Sequence, residues 1–178
     1  MGILTDDMRR FVGVESDILS APEPVELGAV RRYAQAIMDE DPIFADDEAA
    51  TGQGLPGKVA PPLFPVQSFR RAFGAPDPLV KRATDPDFDG SIGSSMRGLP
   101  ELPSAGLVRL NGGSEIELLR YARHGERISI QARYASITER DSSKGPMIVV
   151  VIETGYFVTP DDVILRVRST SLLREPQK

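Results

Sequence analysis

The chain has 178 residues, of which 40% are hydrophobic and 26% are charged, as in an ordinary single globular domain. Its formal net charge is −5, which excludes the broad basic field that would attract nucleic acid or an anionic membrane surface. It has no cysteine and one histidine, which excludes disulfides, thiolate chemistry and a histidine-built metal site. We therefore expect no metal, no cofactor and no nucleic-acid or membrane partner.

The N-terminus MGILTDDMRRF has no apolar signal core, and no run of about 18 apolar residues exists that would span a membrane. These features indicate a cytoplasmic protein. Thr5 is a suitable N-cap for a first short helix, which Gly13 ends. Pro22 and Pro24 then predict an extended segment up to the next helix.

The stretch 27–44 combines an amphipathic helix with an acidic end. Its apolar residues recur at helical spacing, at Val30, Tyr33, Ala34 and Ile37. Three acids then crowd the C-terminus of this helix, where the macrodipole favours cations: Asp39, Glu40 and Asp41. Pro42 ends the helix, and the apolar Ile43 and Phe44 follow. Local stability does not favour this arrangement, but a carboxylate beside an apolar surface is what a proton-transfer site needs.

A second helix is predicted over Pro62–Phe73, and it should be largely buried. Pro61 and Pro62 suit a helix start, where missing N–H groups cost little, and Gly74 is a natural stop. The following stretch, 75–105, contains five prolines and three glycines and has no periodicity. Such a segment is typical of a functional flap or a disordered insert, although a short helix over Pro78–Ala83 is an alternative.

From Gly106 onward the apolar period changes to two, which predicts antiparallel strands. We expect Asn111-Gly112-Gly113 to form a turn or a β-bulge. Because Met147–Val158 is nearly all apolar, it should be the central strand, covered on both faces. The predicted strands are 107–110, 114–122, 127–140, 147–158 and 163–173. Helices followed by strands predict an α+β domain with the helices on one face of the sheet.

The string MDEDPIF, residues 38–44, resembles the hydratase motif G-D-x-N-P-[LIV]-H of the MaoC-like, R-specific enoyl-CoA hydratases. On that motif, Asp39 falls at the catalytic Asp and Pro42 at the motif Pro. Met38 replaces the Gly and Asp41 replaces the Asn. Phe44 stands where the catalytic His belongs, so the motif is degenerate.

Further strings fall in the order seen in the MaoC N-terminal, or fatty-acid-synthase-I-type, dehydratase domain: 25–28 (VELG), 60–62 (APP), 110–115 (LNGGSE) and 121–126 (YARHGE). The resemblance implies one MaoC-like hot-dog domain over residues 1–178, with the Pro/Gly-rich insert at about 75–105. In this fold a long central helix, here Pro62–Phe73, is wrapped by a curved antiparallel sheet, and two units pair as a double hot dog.

The resemblance also implies a substrate class, an acyl-CoA or acyl-carrier thioester, and hydratase or dehydratase chemistry. Asp39 is the candidate acid–base residue, and its structural alternative is a solvated helix end. The thioester oxygen needs donors at a buried helix start, for which Pro62, Leu63 and Phe64 are candidates. The alternative is that this is simply the core helix.

Asn111 and Gly112 are a second candidate contact with the ligand, since glycine lets the backbone approach closely; the alternative is a plain bulge. The remaining residues are weaker candidates. His124 lies in a polar turn, where histidines are usually solvated. Arg70-Arg71, Arg120 and Arg123 would contact CoA phosphates or remain solvated.

Some hydratases of the resembled family are heteromers in which one subunit holds the Asp/His pair and the other shapes the acyl pocket. Phe44 fits the second role, so we expect the non-catalytic subunit of such a heteromer, acting on a lipid, polyketide or steroid side chain. Two alternatives remain open. One is a homodimeric hot-dog thioesterase that uses Asp39 to activate water, and the other is an acyl-thioester-binding module without turnover.

Overall fold

The computed structural model describes residues 2–69, 74, 77, 80, 83–86 and 97–176. The described residues form one five-stranded antiparallel sheet in the order β1-β3-β4-β5-β2. The strands are β1 (Leu19–Ser20), β2 (Val108–Leu118), β3 (Ser129–Ser142), β4 (Gly145–Thr159) and β5 (Asp162–Arg174). The predicted central strand is confirmed, because β4 lies in the middle of this order and its apolar run is mostly buried.

The two strands predicted at 107–110 and 114–122 are one strand, so that prediction is wrong. The bulge alternative for Asn111-Gly112-Gly113 is confirmed, since the register of β2 against β5 shifts between Asn111 and Gly113. Asn111 Oδ1 accepts a hydrogen bond from Gly113 N at 2.9 Å, and Gly113 has a φ of +103°. A Cβ at Gly112 would lie 2.8 Å from Thr170 Cγ2, so the close approach of the two strands requires glycine there.

The helices of the described residues are short: α1 (Asp6–Arg9), α2 (Leu27–Ala36), a 3-10 helix (Pro42–Phe44), α3 (Asp47–Gly52) and α4 (Phe64–Gln67). The predicted cap of α1 is confirmed, since Thr5 Oγ1 accepts from Met8 N at 3.2 Å. The helix predicted over Pro62–Phe73 begins later, at Phe64, and gives way to a turn after Gln67. Residues 70–73 of that prediction, including Arg70 and Arg71, lie outside the described residues.

The end of the predicted insert, residues 97–102, is anchored to the sheet, whereas Val80 and residues 83–86 are exposed. Leu99 and Leu102 are buried, and Tyr134 Oη donates a hydrogen bond to Pro100 O at 2.8 Å. Most of the alternative helix at Pro78–Ala83 lies outside the described residues. In the described ranges, no helix has the length and apolar character needed to cross a membrane.

Two apolar clusters cover the inner face of the sheet. The first joins α2, the 3-10 helix, α3 and α4 to the sheet through Val30, Ala34, Phe44, Ala50, Phe64, Ile130, Tyr156, Leu165 and Val167. The second joins α1 and the segment 99–102 to the sheet through Met8, Leu99, Leu102, Tyr134, Ile148, Val150 and Ile152. The helices therefore lie on one face, as the α+β prediction requires.

Arg120, which follows β2, ties together two turns of the chain. Its Nε and Nη2 donate to the two carboxylate oxygens of Asp162, each at 2.7 Å, and its Nη1 donates to Glu126 Oε2 at 2.9 Å. The Arg120 side chain is 20% exposed and that of Glu126 is 17% exposed. We call these three residues the Arg120 network. Two carboxylates and good geometry offset the desolvation of a half-buried guanidinium.

The segment 121–126, which contains Glu126 of this network, makes backbone hydrogen bonds to two other segments of the chain. Ala60 N donates to Ala122 O at 2.8 Å, just before α4. Val25 N donates to Glu126 O at 2.9 Å, and Gly125 N donates to Val25 O at 2.8 Å, just before α2. The starts of both helices are therefore fixed by backbone hydrogen bonds to the same six residues.

Replacing Asp162 by Asn is expected to lower the free energy of unfolding by about 1 kcal/mol at neutral pH, because a bidentate, charge-assisted pair loses its charge. The hydrogen bond from Arg120 holds the pKa of Asp162 below its usual range. This contribution is therefore complete above the ordinary aspartate pKa of about 3.9 and is lost as pH falls through the lower folded-state value.

Urea titrations of the wild type and Asp162→Asn across the acid range measure this difference, which should shrink as pH falls. Glu117→Gln is the matched control. It breaks the Arg166–Glu117 pair between β5 and β2, whose side chains are both 59% exposed, and should cost at most a few tenths of a kcal/mol. Equal losses in the two variants would contradict a special role for the Arg120 network.

Candidate functional site

The residues that resemble the hydratase motif line an open groove of about 600 Å³ at the C-terminal end of α2. Asp39 and Phe44, the two positions at which the resembled family has its catalytic pair, both contribute to its wall. The full lining is Leu27, Gly28, Arg31, Ala34, Gln35, Met38, Asp39, Glu40, Asp41, Pro42, Phe44, Ala45 and Lys58. The fold therefore brings the motif positions together around one concave surface.

The backbone at the end of α2 explains how Asp39 reaches this groove. Asp39 N donates to Ala34 O at 3.0 Å, and Met38 N donates to Gln35 O at 3.2 Å. Met38 lies between them with a φ of +56°, the left-handed conformation. This is a Schellman motif, the common end of a helix, and its left-handed position normally holds glycine. Met38 occupies that position although its side chain is 86% exposed and has little packing to favour it.

The predicted crowding of three acids at the helix terminus needs a correction. The helix ends at Ala36 with Ile37 as its C-cap, so the acids lie beyond the last turn, where the macrodipole weakens. Asp41 has a structural role, because its Oδ1 accepts from Ile43 N at 3.1 Å and caps the 3-10 helix. Asp39 Oδ1 accepts from Asp41 N at 3.3 Å, and Asp39 stays partly exposed to the groove.

Phe44 is held as a core residue. The 3-10 helix turns it inward, where it is 8% exposed and belongs to the first apolar cluster. Its ring meets Tyr121 edge-on, with ring centroids 6.5 Å apart. An aromatic hydrocarbon at this position transfers no proton, so the groove has a carboxylate but no imidazole beside it.

The other predicted contacts do not line this groove. Phe64 is a core residue, 5% exposed, and its ring packs edge-on against Tyr33 at 5.6 Å. Its N–H donates to Pro61 O at 2.9 Å and is therefore already used. Of the neighbours of Phe64, Leu63 is 38% exposed and Pro62 is half-buried.

Asn111 and Gly112 lie in the bulge of β2, and His124 lies in an exposed turn. The bulge accounts for the local sequence at both Asn111 and Gly112, as described above.

Sequence reasoning missed two cations of the groove, Arg31 and Lys58. Arg31 lies one turn before Gln35 on α2, so the helical spacing of polar residues would have found it. Lys58 Nζ pairs with Asp47 Oδ2 at 2.9 Å, and its backbone N donates to Asp47 Oδ1 at 2.9 Å. The hydrogen bonds from Lys58 hold the pKa of the Asp47 carboxyl below its usual range. Lys58 comes from a glycine-rich loop with no period, so no sequence signal pointed to it.

Comparison with known proteins decides the family. The family described as "FAS1-like, dehydratase domain region" matches residues 10–166. The chain belongs to this family. The alpha subunit of 3-oxo-4,17-pregnadiene-20-carboxyl-CoA hydratase from Mycobacterium tuberculosis is 30% identical over 117 residues, which are 66% of this chain and 34% of that protein. The chain therefore matches about a third of the length of this curated relative.

Solved structures agree on the fold. The crystal structure of the ChsH1–ChsH2 complex from Mycobacterium tuberculosis aligns with a TM-score of 0.72 at 21% identity, over 96% of this chain and 89% of that one. A MaoC-like dehydratase from Rhodospirillum rubrum aligns with a TM-score of 0.59 at 18% identity, over 94% of each chain. The hot-dog fold that the resemblance implied is thus confirmed, and the family match given above confirms the dehydratase family.

The left-handed Met38 leads to a stability prediction. Met38→Gly should raise the free energy of unfolding by about 0.5–1 kcal/mol, because glycine removes the steric cost of this conformation at a smaller cost in unfolded-chain entropy. Thermal and urea unfolding measure the change. Met38→Ala is the matched control, since alanine keeps the Cβ strain and loses only an exposed side chain. If the glycine variant is no more stable than the alanine variant, the strain at Met38 is absent.

Proposed function

We propose that this chain is the non-catalytic, acyl-pocket-forming subunit of a heteromeric MaoC-like enoyl thioester hydratase or dehydratase. The observation that carries the proposal is Phe44, buried in the core at the position where the family motif has histidine. Asp39 alone in the groove would act as a base. A missing acid–base partner costs on the order of 10²–10⁴ in rate, so the competent Asp/His pair belongs to another subunit.

The open edge of the sheet supports a second subunit. β2 is the last strand of the sheet in the described residues and leaves backbone groups unpaired on its outer side. On its inner face Ile116 is 48% exposed and Leu118 is 36% exposed, and Leu119 beyond its end is 45% exposed. Burying such side chains is worth roughly 1.5–3 kcal/mol each, so a second hot-dog chain along this edge would stabilise both. The structural neighbour named above was solved as a complex of ChsH1 with ChsH2.

The substrate class rests on the family and on the apolar wall of the groove. The curated relative acts on a pregnadiene-carboxyl-CoA thioester, which favours a CoA thioester of a steroid side chain or another bulky acyl group for this chain. The apolar wall from α2 suits an acyl group, whereas the two cations and three acids of the lining together do not select an anion. The site would bind and orient the acyl part while the partner subunit supplies proton transfer.

If the catalytic Asp/His pair belongs to a partner subunit, the isolated chain should be inactive. The purified chain should hydrate crotonyl-CoA at a negligible rate, because its groove lacks the imidazole. Adding a hot-dog subunit with an intact D-x4-H motif should restore turnover and give a sedimentation mass well above 19.4 kDa. Ile116→Asp, at the β2 edge, should weaken the assembly, whereas Val12→Asp, at an exposed apolar position away from β2, should not. Robust turnover by the isolated chain would refute the subunit assignment.

Asp39→Asn tests whether Asp39 is functional. The variant should keep or raise the melting temperature, since the asparagine Oδ1 still accepts from Asp41 N and one acid of the cluster is neutralised. Steady-state assays of the complete complex should show a severalfold loss of activity. Glu23→Gln, at an exposed acid outside the groove lining, is the control and should leave activity unchanged. Lower stability with full activity would instead make Asp39 a structural cap.

A further inference from the structure

A polar cluster lies on the inner face of the sheet, between the two apolar clusters. Thr154 on β4 is 2% exposed, and its hydroxyl has no hydrogen-bond partner in the part of the chain that the structure describes. Its neighbours across the sheet are Ala132 on β3 and Val167 on β5. Neither side chain offers a polar atom. A buried hydroxyl without a partner costs stability, so its presence here calls for an explanation.

Arg97 reaches this face from the segment before β2. Its Nη2 donates to Ser169 Oγ at 3.4 Å. The charge of Arg97 also acts on the phenol of Tyr156, which is 4% exposed and lies two residues from Thr154 along the same face of β4. Ser169 is two residues from Val167, the direct neighbour of Thr154, on the adjacent strand. We call Arg97, Thr154, Tyr156 and Ser169 the Arg97 cluster.

The Arg97 cluster has donors in excess of acceptors. A guanidinium carries five N–H donors and accepts nothing, so Ser169 Oγ is the acceptor in its hydrogen bond with Arg97. Among the described residues, the hydroxyl proton of Ser169 remains to be donated, as does that of Thr154. Burial raises the pKa of Tyr156 against the opposing effect of Arg97, so its phenol keeps its proton. The cluster is therefore suited to a ligand atom that only accepts.

The surroundings of the cluster are apolar. The ring of Phe69 meets Tyr156 edge-on, with ring centroids 5.9 Å apart. Tyr156 also belongs to the same apolar cluster as Phe44, which lines the groove. A ligand that enters along this cluster would have an apolar body, for which one polar contact fixes the orientation.

We propose that the Arg97 cluster binds an acceptor oxygen, a ketone or a terminal carboxylate, carried on the apolar part of the acyl ligand. This inference rests on the proposed function, because it names the kind of acyl group that the pocket selects. An unpaired buried hydroxyl discriminates strongly, since a ligand without the oxygen leaves it unpaired. The cluster would thus distinguish an oxygenated acyl group from a plain hydrocarbon of the same length.

The test uses the full chain as purified, with any partner that copurifies, and straight-chain acyl-CoA ligands of increasing length. Each length is tested unsubstituted, with a ketone near its far end, and with a terminal carboxylate. Isothermal titration calorimetry gives the Kd. In Thr154→Val the melting temperature of the free protein should stay the same or rise, because an unpaired buried hydroxyl is removed. The Kd for an oxygenated ligand should weaken about tenfold, while that for the plain ligand is unchanged.

If Thr154→Val weakens binding of only the ketone ligand, the natural group is a ketone. If it weakens binding of only the carboxylate ligand, the natural group is a carboxylate. Ser169→Ala, at a half-buried position, should give the same selective loss and replaces Thr154→Val if that variant does not fold. Thr138→Val, exposed on β3, is the matched control and should leave every Kd unchanged. Equal losses for all three ligand forms, or no loss at any length, would overturn the inference alone. Failure of the wild type to bind any acyl-CoA would overturn the proposed function as well.

Discussion

The groove depends on the backbone hydrogen bonds that the segment 121–126 makes to the chain on either side of the motif. Ala60 N donates a hydrogen bond to Ala122 O, and Val25 N donates one to Glu126 O, each at under 3 Å. Val59 N in turn donates to Ile43 O at 3.3 Å, inside the motif itself. None of these contacts belongs to a regular strand pair, so their strength comes from how firmly the segment is held. The half-buried guanidinium of Arg120 supplies that firmness, because it would lose its hydrogen bonds to Glu126 Oε2 and Tyr121 O if the segment moved.

The backbone of the resembled motif does not depend on glycine at its first position. The Schellman turn persists although Met38 stands where the family motif has glycine, at a cost of about 1 kcal/mol in left-handed strain. The strain is tolerated because Asp41 caps the next helix and Phe44 is buried beyond it. Packing of Phe44 and Ile43 therefore determines the course of this segment, and glycine is not required for it. The proposed pocket-forming role would need that course of the backbone but not the imidazole.

Much of the fold was predictable, since period-two alternation locates β3, β4 and β5 to within about two residues. The helix over Pro62–Phe73 was predicted too early at its start, because apolar spacing does not show that Pro61 O closes a turn onto Phe64 N. One strand was predicted as two, because the sequence Asn-Gly-Gly is typical of both a bulge and a turn. Asp39 was found through the motif. Lys58 and the Arg97 cluster were not found, since contacts between residues more than ten positions apart leave no local pattern.

The charge distribution of the sheet argues that its two faces serve different purposes. The outer face carries several ion pairs, among them Arg133 with Glu153 at 2.6 Å and Arg166 with Glu117 at 3.1 Å. Arg133, Arg166 and Arg168 each have an acidic neighbour, and these pairs are partly solvated. On the inner face the polar groups are few and lie among apolar side chains, and the hydroxyl of Thr154 has no partner in the described residues. An acceptor oxygen of a ligand, as proposed above, would complete the hydrogen bonding of this face.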